Sequence, residues 1–491
     1  MIIKKLRQAA GLAAVIAASM SPLLTYAGQY CHVEINDVWY ELTSDNEAHV
    51  ISKFFKSHTH YPEDYDLVIP PTVEYEGEIY TVTELKDYEE RIGHAQYHVH
   101  VALDNEPIAT LSLPSTMTDL GSLTHVYLPR LTAITVEPGN KYFESIDGVL
   151  YDTEEKKTLL LYPRLKPGTS FDIPEGVVRL GYGSLESQNL THVNFPSTLR
   201  GIGDWALSGS KLDYIDLNEG LEAIGEYAFY GVTSHKPLVI PESVKNLSDY
   251  CFGGTEIENI VLPSWVVEIG EGWFEHSFTE TIPVPERITR IGEYAFADSW
   301  IKHMDLPDGI HTIEFCAFAS CDSLREIRLP LELSTLEDRI FFDCENLKRV
   351  TLNKNIKRVK AAFDDCPSLS DLYLLPERPP RLDEECPLGY RDPEYFINRL
   401  GQITVHVLEG CGEAYRNSTW AKVGPIVEDL TDGVDDLPAD RAISPTETCT
   451  AYTLQGTVAA EGMSYGELRE ALFPGIYIIR TASGKTDKIR L

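Results

Sequence analysis

Several histidines cluster in the N-terminal part of the sequence, and histidine is a common metal ligand. His94, His98 and His100 fall within one short segment, and His58 and His60 precede them. Two residues apart on a β-strand, His98 and His100 would share one face, as metal ligands do. Exposed strand histidines without a metal are commoner, so the sequence does not lead us to assign a metal or any other cofactor.

Carboxylates are the most abundant candidates for catalysis. The chain has 76 acidic residues against 42 basic ones, so no pair can be singled out as the two carboxylates of a glycosidase. The sequence contains neither a G-x-S-x-G elbow nor an H-E-x-x-H motif, and no cysteine stands in the setting of a nucleophile. We therefore predict no enzyme and no catalytic residue, with a polysaccharide-acting hydrolase that uses carboxylates of the repeat array as the alternative.

A repeated backbone element must position these side chains. Between Ile173 and Asn353 the chain repeats an apolar-x-x-apolar-x-apolar-(Pro/Asn) phrase. The last residues of the nine copies are Pro174, Pro196, Asn218, Pro241, Pro263, Pro285, Pro307, Pro330 and Asn353. The gaps are 22 or 23 residues throughout, a period that indicates a solenoid. A second column keeps the same spacing: Leu207, Phe229, Phe252, Phe274, Phe296, Phe318, Phe341 and Phe363. Stacked coils would place these side chains in one interior ladder.

Residues between the core positions of each rung are predicted to point outward and to align in columns. One column is His192, Tyr214, Pro237, Asn259, Thr281, His303, Glu326, Arg349 and Asp371, and its neighbour is Thr191, Asp213, Lys236, Glu258, Glu280, Lys302, Arg325, Lys348 and Ser370. Carboxylates dominate the early rungs, whereas two adjacent late rungs gather the cations Arg325, Arg328, Lys348 and Arg349. An ordinary solvated face is the commoner explanation. The best candidate binding residues are nevertheless these four cations, together with His192, Tyr214 and His303.

The repeat unit LP-x-x-(I/V)-x-x-IG-x-x-AF-x-x-C-x-x-L-x-x-I-x-L is present almost whole in residues 306–330. It resembles the BspA-like leucine-rich-repeat family of secreted and surface proteins from host-associated microbes. Residues 68–85, 140–163 and 410–429 also resemble that family, whereas 86–110 depart from it and leave the number of N-terminal rungs open. The resemblance implies a repeat solenoid, a right-handed leucine-rich-repeat superhelix with parallel β-strands. It also implies extracellular binding in some members and no shared catalytic residues.

The N-terminus has the pattern of a secretory signal. Lys4, Lys5 and Arg7 precede the apolar run AAGLAAVIAASM, and small residues end at Ala27. We predict a signal peptide over residues 1–27. A membrane-spanning anchor is the competing interpretation, but the apolar run is shorter than the ~20 residues that a spanning helix needs. We expect no membrane span once the signal is removed.

The formal charge of −34 restricts the class of partner. A strongly acidic protein repels nucleic acid and anionic membrane surfaces. The simplest explanation of the charge is solubility of a secreted protein, and an acidic binding surface is the alternative. We predict no nucleic-acid partner, and the sequence leaves the oligomeric state open.

The cysteines are expected to serve packing more than disulfide bonding. Cys321, Cys344 and Cys366 occupy the same slot of the repeat, just after the aromatic column, which predicts core positions. Cys251 and Cys316 stand at other slots of the coil and are also expected to pack. Only Cys386 and Cys411, both in the irregular segment after the repeats, form a plausible disulfide pair.

The two ends of the chain differ from the array. Short alternating runs in residues 28–85 predict an N-terminal β-hairpin cap and the start of the array, which continues with its closing unit over 86–429. Residues 430–448 are acidic and poor in large apolar side chains, as in a linker. Residues 449–491 predict a small all-β C-terminal appendage. Their Y-x-L-x-G and L-x-x-G-x-Y-I phrases resemble the sorting domain of type IX secretion substrates, and an ordinary small β-sandwich is the alternative.

Together these patterns predict a bacterial leucine-rich-repeat protein that is secreted or displayed on the outer membrane or cell surface. We expect it to bind an extracellular protein or glycan through its repeat face, in adhesion or host interaction, without catalysis. A structural surface spacer is a further alternative. The identity of the partner cannot be read from the sequence.

Overall fold

The structure is a computed structural model of the 491-residue chain. It describes residues 31–36, 38–51, 64–92, 96–100, 103–104, 107–123, 126, 128–153, 157–257, 259–280, 282–382, 402–430, 448–453, 458–464, 476–481 and 486–490. The predicted signal peptide, the interior of the predicted linker, His58, His60, His94 and Cys386 lie outside these residues.

Strands make up almost all of the regular structure. The first seventeen are β1 (Cys31–Ile35), β2 (Val38–Leu42), β3 (Glu47–Ile51), β4 (Tyr65–Val68), β5 (Thr72–Tyr75), β6 (Glu78–Lys86), β7 (Tyr88–Ile92), β8 (Gln96–His100), β9 (Ile108–Leu113), β10 (Ala133–Val136), β11 (Phe143–Ile146), β12 (Val149–Asp152), β13 (Lys157–Leu161), β14 (Ser170–Asp172), β15 (Val177–Leu180), β16 (His192–Asn194) and β17 (Gly201–Ile202).

The later strands are shorter within the regular repeats. They are β18 (Ala223–Ile224), β19 (Thr233–Ser234), β20 (Leu238–Val239), β21 (Asn246–Leu247), β22 (Glu256–Ile257), β23 (Ile260–Val261), β24 (Glu268–Ile269), β25 (Arg290–Ile291), β26 (Thr312–Ile313), β27 (Glu326–Arg328), β28 (Thr335–Leu336), β29 (Arg349–Leu352), β30 (Arg358–Val359), β31 (Asp371–Leu374), β32 (Arg381–Leu382), β33 (Thr404–Leu408), β34 (Ile426–Leu430), β35 (Thr448–Thr453), β36 (Val458–Ser464), β37 (Ile476–Thr481) and β38 (Thr486–Arg490). A short helix, α1 (Gly412–Arg416), and a 3-10 turn (Thr419–Lys422) lie between β33 and β34.

Two compact units divide the chain. The first comprises the described residues up to Leu190 together with Thr198–Leu207, and the second comprises Thr191–Ser197 and the described residues from Ser208 onward. The first unit begins with a five-stranded sheet in the order β1-β2-β3-β6-β5. The predicted N-terminal hairpin is present as β1 and β2, and the sheet extends it because β6 pairs in parallel with β3.

Apolar and polar residues alternate along β1, so one face of the first sheet is buried and the other is exposed. Val33 and Ile35 are buried while Glu34 between them is exposed, which is the period of a half-buried strand. Parallel pairing follows along the chain, with β9 between β4 and β10, and with β15 between β13 and β17. Parallel rungs therefore begin before Ile173, in the region where the sequence repeat is too irregular to count.

The second unit is a β-solenoid with parallel strands, which confirms the predicted fold class. Two- and three-residue strands pair in parallel from rung to rung, as in β24-β25-β26, and toward the C-terminal end they lengthen into the sheet β27-β29-β31-β33-β34. The paired positions are 22 or 23 residues apart in these pairs, as Glu268, Arg290 and Thr312 illustrate. Very short strands suffice because the core comes from side chains stacked along the array.

The predicted aromatic ladder is present in the core of the second unit. Rings of consecutive rungs stack from Phe229 to Phe363, with centroids 5.2–6.1 Å apart and planes within 25° of parallel. None of these seven phenylalanines is more than 3% exposed. Each ring therefore fills the space between its two neighbours.

The repeat cysteines are core residues, as predicted. Cys321, Cys344 and Cys366 are fully buried, and each thiol donates a hydrogen bond to a ladder carbonyl one rung back, at 3.2, 3.1 and 2.9 Å. Burial raises the pKa of Cys321 and Cys344 well above the usual thiol range. Cys251 and Cys316 are also buried.

Asparagine at the end of a rung supplies hydrogen bonds that proline cannot. The Asn218 amide donates to the carbonyls of Pro196 and Ser197 at 3.1 and 3.0 Å, and the Asn353 amide donates to Pro330 and, at 2.9 Å, to Leu333. In the first unit Asn140 bonds the carbonyls of Pro114 and Met117 in the same way. The amide thus satisfies backbone acceptors of the preceding turn.

The C-terminal part closes the array and then changes to antiparallel pairing. Tyr415 and Trp420 are fully buried, and they donate to the carbonyls of Pro376 at 2.7 Å and Pro380 at 2.8 Å. Strands β35–β38 form a four-stranded antiparallel sheet in the order β36-β35-β37-β38, which confirms a small all-β appendage. Over the described residues, no helix has the length and apolarity required to cross a membrane.

Candidate functional site

The outward columns of the late rungs have the register that the repeat spacing predicts. Glu326 on β27 is opposite Arg349 on β29, and Arg349 is opposite Asp371 on β31. Buried Ile327 and Val350 alternate with these side chains, because successive residues of a strand face opposite sides. The candidate cations Arg325, Arg328, Lys348 and Arg349 therefore lie on two neighbouring rungs.

Two of these cations are neutralised by acidic neighbours. Arg349 donates twice to the carboxylate of Glu326, at 3.0 and 2.5 Å. Arg328 lies 3.5 Å from Asp308. These side chains are partly exposed, so the pairs contribute little to stability, but they reduce the positive potential around both guanidinium groups.

The other two cations differ in their surroundings. Arg325 and Lys348 are exposed, and the backbone N–H of Lys348 donates to the carbonyl of Arg325 at 2.8 Å, so the residues sit on directly adjacent rungs. Among the residues that the structure describes, neither forms an ion pair within 4 Å. The net positive charge of the predicted patch thus rests on Arg325 and Lys348.

A recess opens beside Arg325. Its volume is about 440 Å³, and it is lined by Lys302, His303, Asp322, Ser323, Arg325 and Asn346. All six residues are polar, and Asp322 is the one carboxylate among them. Lys302 pairs with Glu280 on the preceding rung, and the Asn346 amide donates to the Asp322 carbonyl at 2.9 Å. The recess brings together two predicted residues, His303 and Arg325.

His192 and Tyr214 lie apart from this recess. Their rings make an edge contact at 5.5 Å, Lys236 Nζ sits 4.9 Å from the Tyr214 centroid, and His192 Nε2 lies 3.4 Å from Asp213. His303 follows His192 by five rungs in the same column, which is ~24 Å at the usual strand spacing. The seven predicted residues therefore form two separate groups rather than one site.

Two exposed aromatic residues beside the recess were not predicted. Phe278 and Trp300 are 45% and 59% exposed, and their rings meet edge-on at 5.4 Å. Both stand four residues after a ladder phenylalanine, and Asp322, which lines the recess, holds that position on the next rung. The available signal was a large aromatic residue at a slot where other rungs carry Glu256, Asp322 and Glu345.

Metal-ligating side chains come together on a different part of the rung. Single ligand atoms of Glu275, His276 and Asp298 all lie within 4.8 Å of one another. Burial raises the pKa of Glu275, His276 lowers it, and Asp298 adds to the increase. His276 and Asp298 are exposed, and exposed acidic groups are common without an ion, so we assign no metal site. Strand β8 contains His98 and His100, but their side chains lie outside the described part of the structure.

The parallel rungs define a β-solenoid with a charged outward face. Residues 166–281 and 267–378 match the family described as the BspA type leucine rich repeat region, in six copies. This part of the chain therefore carries BspA-type leucine-rich repeats. A comparison with curated proteins finds none whose sequence matches the chain.

Several solved structures are similar to this chain. The pneumococcal vaccine antigen PcpA aligns at 16% identity over 81% of this chain and 98% of its own, with a TM-score of 0.44. A leucine-rich repeat protein from Bacteroides ovatus aligns at 18% identity over 77% and 100%, with a TM-score of 0.43. A leucine rich cell surface protein from Faecalibacterium prausnitzii aligns at 16% identity over 73% and 96%, with a TM-score of 0.39.

Proposed function

We propose that this protein is a secreted or surface-displayed bacterial protein that binds an extracellular protein or glycan through the outward face of its repeats, without catalysis. The observation that carries the proposal is the pair Arg325 and Lys348, which lack ion-pair partners among the described residues, beside a polar recess. On a chain of formal charge −34, such a local positive site would attract an acidic partner.

The composition of the recess favours binding over hydrolysis. A glycosidase needs two carboxylates that flank the scissile bond. Asp322 has no second carboxylate facing it among the residues that line the recess. The recess instead offers mainly hydrogen-bond donors and cations, which suit recognition of a polar, acidic ligand.

Charge reversal on the face tests this proposal. The mature protein, from Gly28, would be screened for binding to immobilised host matrix proteins and glycans. For each ligand found, we expect weaker binding as salt rises, and much weaker binding by Arg325→Glu with Lys348→Glu. The double variant Lys354→Glu with Lys357→Glu has the same net charge at exposed positions outside the recess and is the matched control. Equal loss in both variants, or in neither, would reject the face as the site.

Export by the type IX pathway is the second element of the proposal. The C-terminal sheet β35–β38 follows the predicted linker, and its sequence phrases resemble the sorting domain of type IX substrates. Deleting residues 449–491 should leave the repeats folded, as judged by an unchanged melting temperature, but prevent surface display in the native host. Undiminished display of the truncated protein would assign the appendage another role.

A further inference from the structure

The aromatic pair beside the recess is an unusual surface feature. Trp300 and Phe278 expose large apolar rings to solvent on adjacent rungs, while most large apolar side chains of the repeats are buried. Exposed aromatic residues grouped next to a recess are typical of binding sites, because the ring offers a large contact area at a low cost in conformational entropy.

The backbone register places the aromatic pair on the same face as the recess. Trp300 and Lys302 are both exposed, with buried Ile301 between them. Trp300 also precedes Asp322 by one rung in the same column. Lys302 and Asp322 both line the recess, so Trp300 is a near neighbour of two lining residues, one on its own rung and one on the next.

The chemistry of the two parts indicates the ligand. A recess of about 440 Å³ has the size of a small-molecule pocket, and all six residues that line it carry polar groups, which favours a ligand with hydrogen-bonding groups. The neighbouring aromatic pair, Phe278 and Trp300, favours a ligand that also has a flat apolar surface. A pyranose meets both conditions, because its hydroxyls lie at the rim of the ring and its axial C–H groups form an apolar face.

The positive charge of Arg325 and Lys348 favours an acidic saccharide over a neutral one. Arg325 presents a guanidinium group with no ion-pair partner among the described residues, and His303 lies beside it in the recess. A guanidinium group binds a carboxylate or sulfate through two parallel hydrogen bonds. Lys348 on the next rung adds a second positive charge that lacks a described ion-pair partner.

We propose that Trp300, Phe278 and the recess beside Arg325 form a binding site for an acidic saccharide. One sugar ring stacks on Trp300, and its carboxylate or sulfate binds Arg325. This inference rests on the proposed function, since it names the ligand class of the same face. Uronic acid, sialic acid and sulfated sugars share the required chemistry.

Titration calorimetry of the mature protein with defined oligosaccharides tests the proposal. The probes are an oligogalacturonate, a sialylated oligosaccharide, a heparin oligosaccharide and a neutral cello-oligosaccharide. We expect at least one acidic probe to bind and the neutral probe not to bind. Trp300→Ala and Arg325→Gln should each weaken that binding roughly tenfold or more, the equivalent of one stacking contact or one charged hydrogen-bond pair.

Matched variants separate a local effect from a general one. Trp265→Ala removes a comparably exposed indole, 44% exposed, in the turn after Pro263, a slot of the repeat that supplies no lining residue of the recess, and Arg378→Gln removes an exposed guanidinium group elsewhere. Both should bind as the parent does. Binding of the neutral probe as tightly as the acidic ones, or acidic binding that survives Trp300→Ala and Arg325→Gln, would overturn the saccharide site. Binding of a protein partner through Arg325 and Lys348 with no saccharide bound would overturn this inference while leaving the proposed function standing.

Discussion

Phe274 and Phe296 stack in the core of the solenoid with their ring centroids 5.5 Å apart and their planes 9° from parallel. Phe252 lies 6.1 Å away on the other side of Phe274. The ring is thus enclosed between two others, and its removal would leave a cavity that neither neighbour can fill without disturbing the rest of the ladder.

We therefore expect Phe274→Ala to lower the free energy of unfolding by about 3–5 kcal/mol. Urea unfolding followed by circular dichroism measures the change. Val267→Ala, at a residue that is 47% exposed, is the control and should change stability by less than about 0.5 kcal/mol. If the two variants unfold alike, the ladder does not stabilise the array.

Gly272 is required by the ring of Tyr250. Gly272 has φ +59°, and a Cβ atom built there would lie 2.1 Å from two carbons of the Tyr250 ring, whose hydroxyl donates to Glu271 at 2.9 Å. Gly272→Ala should cost about 1–3 kcal/mol, because it combines a strained backbone with a clash. Gly309→Ala is the matched control, since its nearest neighbour would be 4.0 Å away.

A double variant separates the two causes. Tyr250→Ala removes the ring, so Gly272→Ala made in that background should cost only the backbone strain. Equal costs of Gly272→Ala in both backgrounds would show that the ring does not restrict this position.

Asn353 holds the end of its rung through its amide group. The residue is 2% exposed, and its side chain bonds two backbone carbonyls of the preceding turn. Asn353→Asp keeps the shape but removes both donors, so we expect a loss of about 1–3 kcal/mol, which is the cost of leaving buried acceptors unsatisfied. Asn355→Asp is the control in the same unfolding measurement, because it removes an amide that donates to the Leu331 carbonyl at 3.0 Å in an exposed position, where water can replace the lost donor and the loss should be smaller. Retention of full stability in Asn353→Asp would contradict the assigned hydrogen bonds.

The period of 22 or 23 residues made much of this architecture predictable. It placed Phe296 in the ladder, Cys344 in the core and Arg349 opposite Glu326, because stacking in register fixes which positions meet. It could not show which cations have acidic partners, since ion pairing depends on side-chain conformations across rungs. The sequence therefore predicted Arg325 and Arg349 alike as binding residues, whereas in the structure Arg349 pairs with Glu326 and Arg325 has no ion-pair partner among the described residues.

Other features could not be predicted from the repeat period, because they depend on contacts between residues at different positions of the repeat. The bonding of Asn140 to the preceding turn lies outside the regular period, and the recess itself, formed by residues of three rungs, follows only from the rung geometry. The N-terminal sheet has no repeat at all, so its parallel pairing of β3 with β6 could not be derived from spacing.

A group of charged side chains around the buried Glu41 and His49 in the N-terminal sheet should make stability depend on pH. The Glu41 carboxylate lies 2.6 Å from Lys86 Nζ, 3.2 Å from His32 Nε2 and 3.5 Å from His49 Nδ1. Burial alone would raise the pKa of Glu41, but these three partners hold it well below its usual range. His49 also lies 3.4 Å from Glu84, and the Glu41 carboxylate is the main cause that raises the pKa of His49.

The two shifts act in different pH ranges. The depressed pKa of Glu41 contributes stability that is present above the ordinary Glu pKa of about 4.3 and is lost only as the pH falls toward the lower folded value. The raised pKa of His49 contributes stability that is fully present below the ordinary His pKa of about 6.5 and is lost as the pH rises through the folded value. The group should therefore stabilise the sheet most between these limits.

We expect the unfolding free energy of the parent to exceed that of His49→Gln by more at pH 5.5 than at pH 8, when both are measured by urea unfolding at each pH. Comparing the two proteins removes the contributions of the many other carboxylates, which titrate alike in both. His311→Gln, at an exposed histidine of the array, is the control and should show no such difference between the two pH values. A parent-to-variant gap for His49→Gln that is constant or grows as the pH rises would mean that protonated His49 does not stabilise the N-terminal sheet.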